Sequence, residues 1–175
     1  MAILNNMGKK KLIIILMVII IITGFIKINI LEVYIFDNAE RKNEVILQLR
    51  VKKQDEFIVK WTHSVSKQPV IEKYNINNDL KIETIEMIFD TFSANLPATP
   101  DYNTKWEFNK DNIRVYNFDR TYKNLPIVIG EVVANHRLIY KGKKYFLKDI
   151  YKPGGYVKVR IKQKNIYKYL IGRFF

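Results

Sequence analysis

Lys9, Lys10 and Lys11 are followed by an unbroken uncharged run from Leu12 to Ile26 that includes four consecutive isoleucines, Ile19 to Ile22. Such a run constrains the whole chain, because a helix that is apolar on every side needs either a deep core or a lipid phase around it. A spanning helix takes about 20 apolar residues and a signal-peptide core roughly 7–15, so the run stands between the two. Lys27 can snorkel at the outer edge, Ile28 to Leu31 continue the apolar character, and no small-x-small cleavage pattern follows. These features favour an uncleaved anchor over a cleaved leader. The lysines belong on the cytoplasmic side, and a long domain is translocated largely regardless of its own charge. The expected organisation is a cytoplasmic basic N-terminus (1–11), a single transmembrane signal anchor (12–31), a juxtamembrane linker (32–44) and an extracytoplasmic domain (45–175). That is a single-pass protein of the cell membrane.

Thirty Lys and Arg against 17 Asp and Glu leave a net charge of +13, and only four of those cations flank the apolar run. The external part is therefore basic and faces anionic lipid headgroups or wall polymers, either of which is an electrostatic partner for it. Cations scattered between strands also serve simply as a solvated face. Zero cysteines exclude a disulfide scaffold, a thiolate-ligated zinc site and thiol chemistry. No helix-turn-helix, zinc-finger or aromatic RNA-binding signature is present, and an exported domain has no nucleic acid to meet.

Downstream, Val45, Leu47, Leu49 and Val51 alternate at period two, as a half-buried strand requires. Further strands are predicted at 57–65, 70–76, 80–89, 105–108, 113–117, 127–140, 144–147 and 156–162. They are separated by turn-like segments such as Asn77-Asn78-Asp79, Lys141-Gly142-Lys143 and Pro153-Gly154-Gly155. Short strands at this spacing predict an all-β domain, a small antiparallel β-sandwich or barrel-like fold behind the single N-terminal transmembrane helix. Ser93 to Asn103, with Pro97 and Pro100, lacks a strand pattern and reads as a functional or connecting loop. The aromatic, basic tail from Asn165 reads as a final strand, with insertion at the membrane interface as the other option.

The most informative segment is Trp61-Thr62-His63-Ser64-Val65-Ser66-Lys67-Gln68-Pro69-Val70-Ile71-Glu72. By strand alternation His63 shares a face with Phe57, Val59 and Trp61, while Glu72 shares one with Val70, Tyr74 and Ile76. A four-residue loop, Ser66 to Pro69, would set His63 directly opposite Glu72 and Trp61 opposite Tyr74. Opposed side chains have Cβ atoms about 4.5–5.5 Å apart, so a buried His63–Glu72 dyad is predicted. Such a pair can lock the hairpin, orient a bound ligand or take part in catalysis. His136 also alternates inward, with Val132, Ala134, Leu138 and Tyr140. Two histidines and a glutamate can ligate zinc with one position open, which makes a metal-dependent hydrolase using His63, Glu72 and His136 the enzymatic alternative. The chain has no His-Glu-x-x-His helix and no Gly-x-Ser-x-Gly elbow, and Ser64 points away from His63.

The succession Trp61-Thr62-His63-Ser64-Val65, Pro69-Val70-x-Glu72, a small-residue loop ending in Leu96-Pro97, and Ile129-Gly130-Glu131-Val132-Val133-Ala134-Asn135-His136-Arg137-Leu138 before Gly154 and Val157 resembles a bacterial family called domain of unknown function 1850. The resemblance covers roughly 57–161. It implies a small exported or membrane-anchored protein of no established activity, often encoded beside TAXI-type TRAP transporters. Where the family usually has Gly-x-Gly before Leu-Pro, this chain has Ser93-Ala94-Asn95. Asn95 can take the positive φ that glycine would supply. The expected binding residues are thus His63, Glu72, Asn95 and His136, with no cofactor and no metal. The expected function is that of a non-catalytic, membrane-anchored accessory protein. The resemblance alone implies the expected partner, a TRAP-type permease or its solute-binding protein, and a polyanion-binding wall or membrane module is a further alternative.

Overall fold

A strand starts at Lys27, directly after the N-terminal helix, inside the stretch expected to be anchor. In chain order the computed structural model has helix α1 (Ala2–Gly24), strands β1 (Lys27–Asp37), β2 (Lys42–Val51), β3 (Glu56–Thr62), β4 (Pro69–Ile76), β5 (Ile82–Phe89), β6 (Lys105–Phe108), β7 (Ile113–Tyr116), β8 (Thr121–Tyr122), β9 (Leu125–Val128), β10 (Arg137–Tyr140) and β11 (Lys143–Phe146), then helix α2 (Leu147–Ile150), strand β12 (Tyr156–Asn165) and helix α3 (Ile166–Ile171). It describes residues 2–37, 42–94, 96–99 and 103–171.

The strands form two antiparallel sheets. One has the order β2-β1-β12-β9. The other runs β11-β10-β3-β4-β5-β7-β6, with β8 paired to β5. Leu31, Val33, Val51, Leu125, Ile127, Val157 and Val159 from the first sheet meet Phe57, Val59, Tyr74, Ile76, Ile82, Leu138 and Tyr140 from the second in one buried core. This is the expected all-β sandwich, and each such side chain contributes about 1.5–3 kcal/mol by leaving water. A second core of Val70, Phe89, Ile113, Val115 and Phe118, with Trp61, Met87, Leu96 and Trp106 packed against it, draws on the larger sheet and its loops alone. Beside it Phe92 and Phe108 are exposed, and both stack near Trp106, with ring centroids 6.0 and 6.1 Å away.

Three expectations change. First, the stretch drawn as the end of the anchor (12–31) and the linker (32–44) holds β1, which lies between β2 and β12. Ile30, Leu31, Glu32 and Val33 are all buried, so β1 is covered on both faces and shows no alternation to read. Among the described residues no helix is long and apolar enough to cross a membrane. With β1 starting at Lys27, the uncharged run in helical form measures roughly 22 Å, short of the ~30 Å hydrocarbon core. Second, the long strand expected at 127–140 is two strands in different sheets, β9 and β10. The chain changes sheet through 129–136, where a Cβ on Gly130 would come within 2.2 Å of the Ala134 Cβ. Third, the described part of the tail is helix α3, not a strand. Its Ile166 N–H donates to the Ile26 carbonyl at 3.1 Å, the Asn165 amide donates to Gly24 O at 3.0 Å, and the Tyr167 ring packs on Gly24.

One buried charge organises the outer side of the smaller sheet. Glu32 is 0% exposed and stands opposite Arg160 in the β1–β12 ladder. It accepts from Arg160 Nε at 2.8 Å and pairs with Lys164 Nζ at 2.5 Å, and the Arg160 guanidinium lies 4.0 Å from the Tyr34 ring centroid. Burial pushes the Glu32 carboxyl up, but Lys164 and Arg160 outweigh it and hold the group below the ordinary carboxylate range.

Candidate binding site around Trp61

Strand β3 ends at Thr62, because there its edge changes partner: the Thr62 N–H donates to the Ala134 carbonyl at 2.7 Å. Pro69 opens β4 opposite Thr62, a position where a residue without an N–H is tolerated. The connection is therefore the six-residue turn 63–68, with Lys67 at φ +62°. The register differs from expectation by four residues: Trp61 pairs with Val70, and Val59 with Glu72. An even shift keeps every side chain on its expected face. The inward cluster survives, while the His63–Glu72 dyad does not form.

His63 builds the turn instead. It is 3% exposed, its Nδ1 accepts from the N–H groups of Val65 (3.2 Å) and Ser66 (3.3 Å), and the Ser93 hydroxyl stands 3.4 Å away. Its Nε2–H donates to the Ala94 carbonyl at 2.8 Å, tying the turn to the 90–104 loop. That tautomer follows from the partners. Glu72 accepts from the Tyr74 hydroxyl at 2.6 Å and from the Trp61 indole N–H at 3.3 Å. Burial is the largest influence on it and raises its carboxyl above the ordinary range, against the two hydrogen bonds. The same burial, with the neighbouring carboxylate, raises the Tyr74 hydroxyl.

Trp61 joins these pieces. Its ring stacks on His136, with centroids 5.5 Å apart and planes 14° apart, and meets His63 at 5.7 Å. His136 Nδ1 accepts the Gly130 N–H at 3.2 Å, and burial pulls its imidazole down to about 4. The loop carrying it is pinned to the turn before β12: Ile129 N–H donates to Gly155 O and Gly154 N–H to Ile129 O, both at 2.8 Å. Gly154, at φ +73°, leaves room for Glu131, whose carboxylate would sit 2.7 Å from a Cβ there.

Of the expected site residues, the structure gathers His63, Glu72 and His136 around Trp61, and Asn95 lies outside the described residues. Trp61 and Tyr74 hold Glu72, roles the sequence reading did not give them; an indole and a phenol sharing its alternation face were the available signal. The zinc arrangement is not supported. Both nitrogens of His63 are committed to backbone groups, and one of His136's is. Among the described residues no three His, Cys, Asp or Glu side chains are grouped to hold a metal ion.

Trp61, His63, Glu72 and His136 all fall in the stretch 57–147, which matches the family model described as Domain of unknown function (DUF1850). The chain belongs to this family. No curated protein and no solved structure matches it. The DUF1850 match spans strands β3 to β11 and so contains the whole larger sheet, while β1, β2 and β12 lie outside it.

Proposed function

We propose that this DUF1850 protein is a membrane-tethered, non-catalytic accessory protein whose domain, on the extracytoplasmic side, holds a polar ligand at the Trp61 cluster. The observation that carries the reading is Glu72. It is a carboxyl group raised by partial burial, bonded only to neutral donors among the described residues, in a cluster where both nitrogens of His63 and the Nδ1 of His136 are spent on positioning loops. Among the described residues no cation faces this half-buried acid, and that unmet electrostatic demand is one a cationic or hydrogen-bond-donating ligand would answer. The Ser93 hydroxyl meets only the His63 Nδ1 that already accepts two backbone N–H groups, so among the described residues no uncommitted base is paired with it.

Two features support tethering. Leu12 to Val18 on α1 are 46–59% exposed, apolar side chains turned outward on every face of the helix. Lys9 to Lys11 and Lys27 bracket the run, so snorkelling and local thinning of the bilayer would offset its shortness. The link to a solute transporter of the TAXI-type TRAP class rests on the family resemblance alone. Affinity purification of the intact, tagged chain from its native membrane tests it. A permease or solute-binding subunit recovered with the wild type and lost with Glu72→Gln supports the reading, and its recovery in equal amount with the variant contradicts it.

A further inference from the structure

Where α1 joins β1, the base of the domain gathers cations that the Trp61 cluster does not use. Lys27 opens β1, and Arg50 of β2 and Lys162 of β12 flank Ile30 from opposite sides. At about 3.3 Å per strand residue, all three lie within roughly 10 Å, along the strand, of its first residue. Between β2, the β10–β11 hairpin and α3 is a cleft of about 240 Å³, lined by Arg50, Lys141, Lys143, Tyr140, Tyr145 and Tyr169 among others. Asp55 balances Lys141, at 3.4 Å, and accepts the Tyr140 hydroxyl at 2.5 Å. Lys164 is taken up by Glu32. Lys27, Arg50, Lys143 and Lys162 are exposed, and among the described residues none has an acidic partner.

The position of the cleft selects its occupant. It borders α3, whose Tyr167 packs on the last residue of α1, and beyond that residue Phe25 is 81% exposed. An exposed aromatic residue between an apolar helix and a basic rim is the pattern of a membrane interface. The Arg50 guanidinium, the Lys143 ammonium and the Tyr145 hydroxyl suit the oxygens of a phosphodiester.

We propose that this cleft binds the phosphate of an anionic lipid headgroup in the leaflet from which the domain emerges. The proposal rests on the membrane-tethered reading. The test is native mass spectrometry of the full chain in neutral detergent, titrated with phosphatidylglycerol or phosphatidylcholine. Phosphatidylglycerol binds at least tenfold more tightly than phosphatidylcholine. Removing two cations with Arg50→Gln/Lys143→Gln weakens it by about 30-fold, while the charge-conserving Arg50→Lys/Lys143→Arg variant stays within a few-fold of wild type. Equal binding of the two lipids, or unchanged binding by the neutralised variant, overturns the proposal. So does displacement of phosphatidylglycerol by inorganic phosphate at matching concentration, which would identify a free-anion site. Alkaline carbonate extraction of native membranes tests tethering separately, since release of the chain there would sink the anchor without touching the lipid titration.

Discussion

Glu72 stands opposite Val59, four residues from the register that would have paired it with His63, and its nearest donor is the Tyr74 hydroxyl at 2.6 Å. The interaction energies of the site follow from that offset. In double-mutant cycles on the full chain, Trp61→Phe with Glu72→Gln should show a coupling of about 1 kcal/mol or more, because the indole N–H meets the carboxylate directly. The His63→Ala with Glu72→Gln cycle should give less than about 0.5 kcal/mol, since the two meet only through the Trp61 ring. Equal couplings would restore the dyad.

Acid should act on His136 first. Its imidazole is pulled down to about 4 in the folded chain and returns to about 6.5 on unfolding. The unfolded chain therefore takes the proton first. The stability this residue contributes is complete above pH 6.5 and falls as pH drops towards 4. The loss amounts to about 1–3 kcal/mol after discounting for partial exposure of the ring. Glu72, raised in the folded chain, works with the opposite sign, losing its contribution as pH rises through its folded value. The informative quantity is thus the difference between wild type and His136→Phe in melts from pH 7 to pH 4, where the variant should lose less.

The outer side of the smaller sheet has its own weak point. Glu32→Gln leaves Arg160 and Lys164 without their acid, and removing one partner of a buried ionic group costs about 3–5 kcal/mol. A marked fall in the thermal midpoint of Glu32→Gln, against little change for the exposed Glu56→Gln, would confirm the ranking. Similar midpoints would contradict it.

Strand β1 also defines the folding unit. A chain beginning at Lys27 retains the strand between β2 and β12, whereas one beginning at Asn38 loses Ile30, Leu31 and Val33 from the interior. The first should give a cooperative melt and the second should not. Cooperative unfolding of the shorter chain would mean that β1 is dispensable.

Legibility followed the physics of each segment. Half-exposed strands such as β2, β4 and β6 alternate and could be read closely from the sequence. Strand β1, covered on both faces, reads as a continuation of the apolar run before it, and no period marks where helix gives way to strand. The faces of His63, Glu72 and His136 were legible because an even register shift preserves them. The register itself was not, since it depends on His63 folding back to accept from Val65 and Ser66, a local closure that alternation does not encode. The split of 127–140 turned on the Gly130–Ala134 contact, a tertiary approach with no local signal beyond a single glycine.

Glu72 is an acid raised by burial and held by neutral donors, and carboxyl-carbon NMR of the full chain labelled at glutamate reads this directly. One resonance should titrate above the ordinary carboxylate range, disappear in Glu72→Gln and shift further upward in Trp61→Phe, which removes a hydrogen bond to the charged form. A spectrum in which Glu72 titrates at or below the ordinary range would show instead that burial does not govern this carboxyl group.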